Sequence, residues 1–373
     1  MDRARFFIKR MLGRGSFGVT YLAYDKKLRK DVALKIITLE SEESTQYLRH
    51  VTSAQDLDCI EELNHESSLV RLNGGIQEHN RNGKFMVGKR KVKKVEYEKA
   101  KKNALDEIEA LKTLSNWDEC NEYIVCYYDS FIVTETVREH GSKVSTKISD
   151  IFIVSEYIDG MTLQEYIRGN MFFSAKVLLS IMYGLVKGLM FIHEGGYAHG
   201  DIKTDNIMIT KSGHVKYIDF GLACIQECEP EDCDNSCSIP RTMSETYTSP
   251  DYYRTNERNG NLAMSNDVWS LGVVLYQLVN KGNLPFDHNI DSEILRRNIL
   301  NAPKYKSKNR YQSINAYVDS FLVNNCQNRP NIQTQHAVLT NIIHTNQDII
   351  TEEISPDPPL SPFVGKYIYD DDI

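Results

Sequence analysis

Long apolar runs are missing from this sequence of 373 residues. The longest, Leu271 to Val279, is well short of the roughly 18 residues that a membrane span needs. The first ten residues also lack the apolar segment of a signal peptide. We therefore expect an intracellular, cytoplasmic protein without a membrane partner, whose eight cysteines are mostly reduced.

An excess of basic charge is absent as well, because the net charge is -7. Residues 346–373 contain seven acidic residues, one lysine and four of the ten prolines, so the rest of the chain is nearly neutral. An acidic terminus that contains proline is typical of disorder. The net charge of the chain therefore says little about the binding partners of the folded part. We expect no nucleic acid among them.

One tract could carry chemistry. Residues 199–206 read His-Gly-Asp-Ile-Lys-Thr-Asp-Asn, and Asp-Phe-Gly begins thirteen residues later at Asp219. Phosphoryl transfer from ATP needs a carboxylate that orients the attacking hydroxyl, a cation on the moving phosphate, and two oxygen-bearing side chains for magnesium. The side chains that could supply these parts are Asp201, Lys203, Asn206 and Asp219.

Other motifs surround this tract in a recognisable order. Upstream are Gly-Arg-Gly-Ser-Phe-Gly-Val-Thr at 13–20 and Val-Ala-Leu-Lys at 32–35; downstream are Thr-Ser-Pro-Asp at 248–251, Asp-Val-Trp-Ser-Leu-Gly at 267–272, and Arg329. Together they resemble the eukaryotic-type protein kinases, in particular the serine/threonine-specific ones. The resemblance implies a two-lobed α+β fold, with a small antiparallel β lobe and a larger, mainly helical lobe.

The resemblance also implies the domain organisation. We expect one kinase domain over 6–345, with a first lobe at about 6–157 and a second at about 158–345, followed by the tail 346–373. Alternation of apolar and polar residues predicts antiparallel strands in 6–37 and a strand pair at 123–133 and 150–157. Helical periodicity predicts helices at 104–114, 177–192 and 265–278.

An insertion is expected at about 38–102, because 71 residues lie between Lys35 and Glu107 where the family has a much shorter link. Residues 84–102 contain nine Lys or Arg against two Glu. The insertion could dock a protein partner, and the basic run 89–94 resembles a nuclear import signal, which makes a nuclear location an alternative. A solvated basic loop is the other interpretation.

For ATP, the resemblance implies that Lys35 pairs with the phosphates and that Glu107 holds it. Helical spacing places Glu107 on the inward face of its helix. The Glu156 carbonyl and the Ile158 N–H would bond the adenine edge. The other expected nucleotide contacts are Leu12, Gly13, Arg14, Gly15, Ser16, Phe17, Gly18, Val19, Thr20, Ala33 and Met208.

For catalysis, the resemblance implies that Asp201 is the base that accepts or orients the proton of the substrate hydroxyl. Lys203 would assist it, and Asn206 and Asp219 would hold Mg²⁺. Lys203, and Ser244 in the place of a family threonine, are typical of enzymes that act on Ser or Thr of protein substrates. A pseudokinase scaffold that binds partners through the insertion is the alternative function.

Three further expectations concern positions around this tract. Gly200 replaces the arginine that in relatives grips a phosphorylated activation segment, so activity need not depend on such phosphorylation. Asp251 should pair with Arg329. Asp267 should hold the backbone of the catalytic loop from a buried helix.

Half of the cysteines lie close together, at Cys224, Cys228, Cys233 and Cys237. Gaps of three, four and three residues permit four thiolates to bind one Zn²⁺, although the central gap is shorter than in common zinc ribbons. Redox bridging and a plain exposed polar loop are the alternatives, since acidic residues stand between the thiols.

Overall fold

The computed structural model describes residues 5–15, 18–39, 94–115, 118, 120–138, 144–169, 173–225, 244–254, 260–286, 291–301 and 312–345. The chain divides into two compact units. The first comprises Met1–Cys120 and Cys126–Ile158, and the second comprises Asn121–Val125 and Asp159–Ile373. The first is built on an antiparallel sheet and the second mainly on helices, which confirms the predicted two-lobed α+β class.

The first unit contains a five-stranded sheet. In chain order its elements are β1 (Phe6–Arg14), β2 (Val19–Asp25), β3 (Lys30–Thr38), the helix α1 (Lys94–Leu114), β4 (Tyr127–Arg138) and β5 (Val144–Glu156). The strands lie in the order β1-β2-β3-β5-β4, and all neighbours are antiparallel. Alternate residues of β3, Val32 and Leu34, are fully buried, as expected of a strand with one face on a core.

The strand pair predicted at 123–133 and 150–157 is present with different bounds. Strand β4 starts at Tyr127 rather than 123, and the pair extends to Arg138 and back from Val144. Two apolar residues explain the early predicted start: Ile124 and Val125 are buried, but they pair with Tyr217 of the second unit rather than with β5. Alternation alone cannot tell which strand an apolar residue joins.

Helix α1 begins ten residues before the predicted position 104. Tyr97 in its first turn is buried, and its hydroxyl donates to the Ile148 carbonyl at 3.0 Å and accepts from the Ile148 N–H at 3.1 Å. Lys99 and Lys102 are exposed on the same stretch. Residues 94–102 are therefore helix rather than loop, and the bounds of the expected insertion stay a prediction. Residues 40–93 lie outside the described residues.

The second unit contains seven helices and two small sheets within the described residues. Its helices are α2 (Leu163–Gly169), α3 (Ala175–Glu194), α4 (Pro250–Arg254), α5 (Gly260–Val279), α6 (Ser292–Asn301), α7 (Gln312–Asp319) and α8 (Ile332–Thr345). The sheets are β6 (Gly160–Thr162) with β8 (Ile207–Thr210) and β9 (Val215–Tyr217), and β7 (Tyr197–Ala198) with β10 (Cys224–Ile225). Helices α3 and α5 lie in the apolar core of this unit. Both contact β7, and α3 also contacts β9.

Helix α3 is long and apolar enough to cross a membrane by length and composition. Most of it is buried inside the second unit, where it packs against α8, β9 and α5. Its N-terminus is capped by Ser174, whose hydroxyl accepts the Val177 N–H at 3.3 Å. The core helix of a globular domain meets the same criteria, so the helix is weak evidence for a membrane span.

Candidate active site

A buried ion pair lies in the first unit. The Lys35 Nζ is 2.7 Å from Glu107 Oε1 and 2.8 Å from Oε2, so both carboxylate oxygens accept from one ammonium. Glu107 is 3% exposed and belongs to the same buried face of α1 as Ala104, Ile108 and Leu111. A buried charge needs a partner, and here the strand supplies the cation and the helix supplies the anion. The structure brings together the two residues that the sequence predicted.

A glycine turn joins β1 to β2. The Gly15 N–H donates to the Gly18 carbonyl at 2.9 Å. A Cβ atom on Gly18 would lie 2.4 Å from the Ile36 carbonyl oxygen, so the close approach of β3 requires glycine there. A Cβ on Gly13 or Gly15 would meet no atom within 4 Å in the part of the chain that the structure describes. Contacts with these neighbouring protein atoms therefore do not explain the two glycines.

The other predicted nucleotide contacts occupy several elements. Leu12 and Arg14 belong to β1, Val19 and Thr20 to β2, Ala33 to β3, and Met208 to β8 of the second unit. Within the first sheet, Thr20 lies opposite Lys35. Ser16 and Phe17 lie outside the described residues.

The end of β5 is held firmly where the adenine edge was predicted. The Glu156 N–H donates to the Cys126 carbonyl at 2.8 Å, and the Glu156 carboxylate accepts the Cys126 N–H at 3.2 Å. Ile158, two residues on, is buried. Two bonds to one residue fix the backbone at Glu156, and the adenine role stays a prediction.

The catalytic tract of the second unit forms one hydrogen-bonded cluster. The Lys203 ammonium donates to Asp201 Oδ2 at 2.6 Å, and the Asn206 amide donates to the same oxygen at 2.9 Å. Lys203 also donates to Ser244 Oγ at 3.3 Å, and Ser244 Oγ lies 3.5 Å from Asp201 Oδ1. Residues from two distant segments thus converge on one carboxylate.

Asp267 supports this cluster from α5, as predicted. It is fully buried, and its carboxylate accepts the His199 N–H at 2.7 Å and the Gly200 N–H at 3.0 Å. His193 of α3 adds a contact of 3.1 Å from its Nε2 that the sequence did not suggest. A histidine on a mostly apolar helix carries no signal for such a role, because core histidines look the same.

His199 and Asp219 shape the backbone on either side. Burial lowers the pKa of the His199 imidazole, which is consistent with Nδ1 accepting the Asp201 N–H at 3.3 Å. The His199 ring lies 4.8 Å from the Phe220 ring. Asp219 has φ of 62°, a left-handed conformation that is costly outside glycine. Arg29 and Lys281 have the same conformation in turns, so the φ of Asp219 does not by itself mark a functional position.

A second buried ion pair lies near the end of the unit. The Arg329 guanidinium donates to Asp251 Oδ2 at 2.5 Å, as the sequence predicted, and its other N–H groups donate to Val323 and Ser265. Burial lowers the pKa of Arg329, and the Asp251 carboxylate opposes that shift. This pair joins α4 and α5 to the segment before α8.

The cysteines depart from the predictions. Among the described cysteines, Cys120 and Cys126 form a disulfide, Cys224 is also disulfide-bonded, and Cys326 is free. Three of these four are disulfide-bonded, so the expectation of mostly reduced thiols was wrong for Cys120, Cys126 and Cys224. The turn after residue 120 brings the Cys120 and Cys126 Cα atoms within 5.1 Å of each other. A disulfide sulfur is no thiolate ligand for zinc.

The zinc prediction accordingly finds no support. The described part of the chain holds no group of three or more His, Cys, Asp or Glu suited to a metal ion. Cys228, Cys233 and Cys237 lie outside the described residues.

Sequence reasoning also missed a polar network beside the catalytic tract. The Thr204 hydroxyl donates to the Gln164 amide oxygen at 2.5 Å and lies 3.2 Å from the Tyr247 hydroxyl, which donates to the Gln277 amide oxygen at 2.8 Å. These residues are 30 to 43 positions apart in sequence. Their spacing contains no signal for the contact.

A two-lobed α+β fold whose second unit holds an Asp-Lys-Asn cluster defines a class of enzymes that transfer phosphoryl groups. The sequence model described as "Protein kinase domain" matches residues 73–339, more than half of the chain. The chain therefore belongs to the protein kinase domain family. The match begins after β1, β2 and β3, which lie in one sheet with β4 and β5.

Several curated proteins are similar to part of the chain. The serine/threonine-protein kinase PrkC of Bacillus subtilis is 36% identical over 137 residues, which are 36% of this chain and 20% of that protein. The probable serine/threonine-protein kinase PknB of Lactococcus lactis is 28% identical over 191 residues, or 49% and 28%. The CBL-interacting protein kinase 21 of Oryza sativa is 31% identical over 166 residues, or 44% and 29%. The chain thus spans between a fifth and a third of the length of these relatives.

Proposed function

We propose that this protein is an ATP-dependent serine/threonine protein kinase that transfers the γ-phosphate to protein hydroxyls. The observation that carries the proposal is the bonding of Asp201, with Lys203 and Asn206 both donating to Oδ2. A carboxylate held by two donors has a defined orientation. Oδ2 accepts both of these bonds, whereas Oδ1 has the longer contact of 3.5 Å with Ser244 Oγ, which a substrate hydroxyl would replace.

In this proposal Asp201 acts first by position. It accepts the hydrogen bond of the attacking hydroxyl, aims the oxygen at the γ-phosphorus, and takes the proton as the bond to phosphorus forms. Lys203, which is 2.6 Å from Asp201, places a positive charge where the phosphate passes. The leaving group is ADP. The chain supplies orientation and charge, which are the main needs of phosphoryl transfer.

The ATP role of the first unit rests on its glycine turn and its lysine. Gly13 and Gly15 leave space where a side chain would stand, and Lys35 is held in place by a buried carboxylate. We propose that the turn lies against the phosphates and that Lys35 pairs with them, while the Glu156 carbonyl and Ile158 N–H bond the adenine.

The donor set also fits Mg²⁺, which prefers oxygen ligands. The Asn206 amide nitrogen donates to Asp201, so its oxygen is turned away from that carboxylate and available to a cation. We propose that Asn206 and Asp219 hold the ion. When bound, Mg²⁺ would neutralise negative charge on the phosphate oxygens.

Serine and threonine as acceptors are supported by two observations. Lys203 bonds both Asp201 and Ser244, the arrangement expected of serine/threonine kinases. Two of the three similar proteins named above are also described as serine/threonine-protein kinases. The location of the protein, a partner at the insertion and control without activation-segment phosphorylation stay predictions.

The test is an Asp201→Asn variant. The change keeps the shape of the side chain but removes the proton acceptor, so we expect kcat for phosphorylation of a generic basic protein to fall about 10²- to 10⁴-fold. ATP binding, measured by the displacement of a fluorescent nucleotide, should be nearly unchanged. Asp159→Asn is the matched control, since Asp159 pairs with Lys211 on the surface and has no part in the proposed site.

Two outcomes would contradict the proposal. Equal label incorporation by the wild type and Asp201→Asn would rule out the role given to Asp201. ATP binding without transfer in the wild type, on any protein with Mg²⁺ present, would favour the pseudokinase scaffold.

A further inference from the structure

A pocket of about 390 Å³ lies in the second unit, beside the catalytic tract. Its polar lining includes Gln164 and Arg168 of α2, Asp205, Tyr247, Gln277 of α5, and Lys281 of the turn after α5. The volume is at the small end of the range for ligand pockets. A pocket of this size suits one or two side chains better than a whole cofactor.

The walls of this pocket are fixed by hydrogen bonds. Thr204, which lies just behind the pocket, bonds Gln164 and contacts the Tyr247 hydroxyl, and Tyr247 in turn bonds Gln277. The bonds connect α2, the catalytic tract and α5. Because these groups already bond one another, the pocket is formed before any ligand enters.

Its position follows from the chain. Asp205 is the residue directly before Asn206, and Tyr247 is three residues after Ser244. Both Asn206 and Ser244 contact Asp201. Asp201 and Asp205 are four residues apart, so their Cα atoms are within about 14 Å. Three or four residues of an extended peptide span that distance.

The charges of the lining favour an anion. Two cations, Arg168 and Lys281, and one carboxylate, Asp205, are the charged members, and all three are exposed. The floor is neutral: Gln277 carries an amide, and burial raises the pKa of the Tyr247 phenol, which therefore stays protonated. A basic ligand would meet two like charges and a floor without a carboxylate.

We propose that this pocket binds an acidic side chain of the protein substrate, Asp, Glu or a phosphorylated residue, within a few residues of the acceptor Ser or Thr. This inference rests on the proposed kinase function and adds the class of substrate. Arg168 and Lys281 supply the attraction, and the fixed floor limits the depth to which the side chain enters.

The experiment uses the purified full chain, ATP, Mg²⁺ and a peptide library. Each position within five residues of a central Ser carries in turn Ala, Asp, Glu, phosphoserine, Arg or Lys. We expect one position at which acidic residues raise kcat/KM about fivefold over Ala, the effect of one or two exposed charge pairs. The gain should appear mainly in KM, because the side chain takes no part in the chemistry.

The variant Arg168→Glu with Lys281→Glu should reverse the acidic-to-basic ratio at that position. The milder Arg168→Gln with Lys281→Gln should bring the ratio close to one, and it serves if the reversed variant folds poorly. Lys176→Glu with Arg297→Glu makes the same change of charge at two exposed residues outside the pocket and should keep the wild-type ratio.

The outcomes of these measurements distinguish a failure of this inference from a failure of the proposed kinase function. A preference for basic residues in the wild type, or an acidic preference that the reversed variant retains, overturns this inference while leaving the kinase function intact. Phosphorylation of no peptide and no protein overturns both. A gain with phosphoserine but none with Asp or Glu narrows the ligand to a phosphorylated residue, and the converse narrows it to a carboxylate.

Discussion

Gly200 lies between His199 and Asp201 in the catalytic tract, and its backbone conformation is unfavourable for residues other than glycine. Its φ is +79°, its N–H donates to Asp267, and a Cβ there would lie 2.3 Å from the Leu222 carbonyl oxygen. The backbone at Gly200 thus lies in close contact with the backbone at Leu222. In this chain the position favours glycine, whatever the family usually has there.

We therefore expect Gly200→Ala to lower the free energy of unfolding by about 2–4 kcal/mol, the sum of left-handed strain and overpacking. Gly213→Ala is the matched control, because Gly213 has φ of +85° and no atom within 4 Å of a Cβ. It should cost about 1 kcal/mol. Urea unfolding of both variants measures the difference. Equal losses would mean that the contact with Leu222 contributes nothing.

At the scale of elements, the second unit depends on polar residues as well as on its apolar core. The Arg329 side chain lies before α8, and its five N–H groups donate to Asp251 of α4, Ser265 of α5 and the Val323 carbonyl. It also lies 5.2 Å from the Trp269 ring. One guanidinium thus satisfies acceptors on three segments, of which the Asp251 carboxylate is buried.

Removing it should be costly, since Asp251 would remain as an unpaired buried charge. We expect Arg329→Ala to lose about 3–5 kcal/mol of unfolding free energy in a denaturant titration. Arg254→Ala is the comparison: Arg254 is exposed and donates to the Asn324 and Leu300 carbonyls. Its loss should be about 1 kcal/mol. A loss at Arg329 no larger than at Arg254 would show that the buried pair does not stabilise the fold.

At the scale of the whole molecule, residues 40–93 separate two parts of a single sheet along the sequence. Strands β1 to β3 precede residues 40–93, and α1, β4 and β5 follow them. Lys35 and Glu107 stand on opposite sides of that segment and still meet at 2.7 Å. The family match begins at residue 73, within this segment, whereas the sheet contains strands from both sides of it.

Replacing residues 41–92 by a flexible Gly-Ser linker should therefore keep phosphotransfer to a generic protein within about threefold of the wild type, since loop closure depends weakly on length. The Lys35–Glu107 ion pair and the residues bonded to Asp201 lie outside the replaced segment. A chain that begins at residue 73 is the counterpart. It lacks three of five strands and Lys35, so ATP binding should be lost. If the linker variant is folded by circular dichroism but inactive, the insertion itself takes part in catalysis.

Much of the fold and of the candidate active site could be predicted from the sequence alone. The two-lobed class, Lys35 with Glu107, Asp201 with Lys203 and Asn206, and Asp251 with Arg329 could all be predicted, because fixed motifs in a fixed order leave few folds open. The start of α1 could not, since its first turns are polar in sequence and are held by the contact of Tyr97 with Ile148.

Only the tertiary structure decided which residues from distant segments meet. The strained turn at Gly200, the pairing of Cys120 with Cys126, and the network from Gln164 to Gln277 depend on how the backbone returns on itself. Local patterns report which face of an element is apolar. They carry no information on the angle and distance at which two elements pack, and a hydrogen bond requires both.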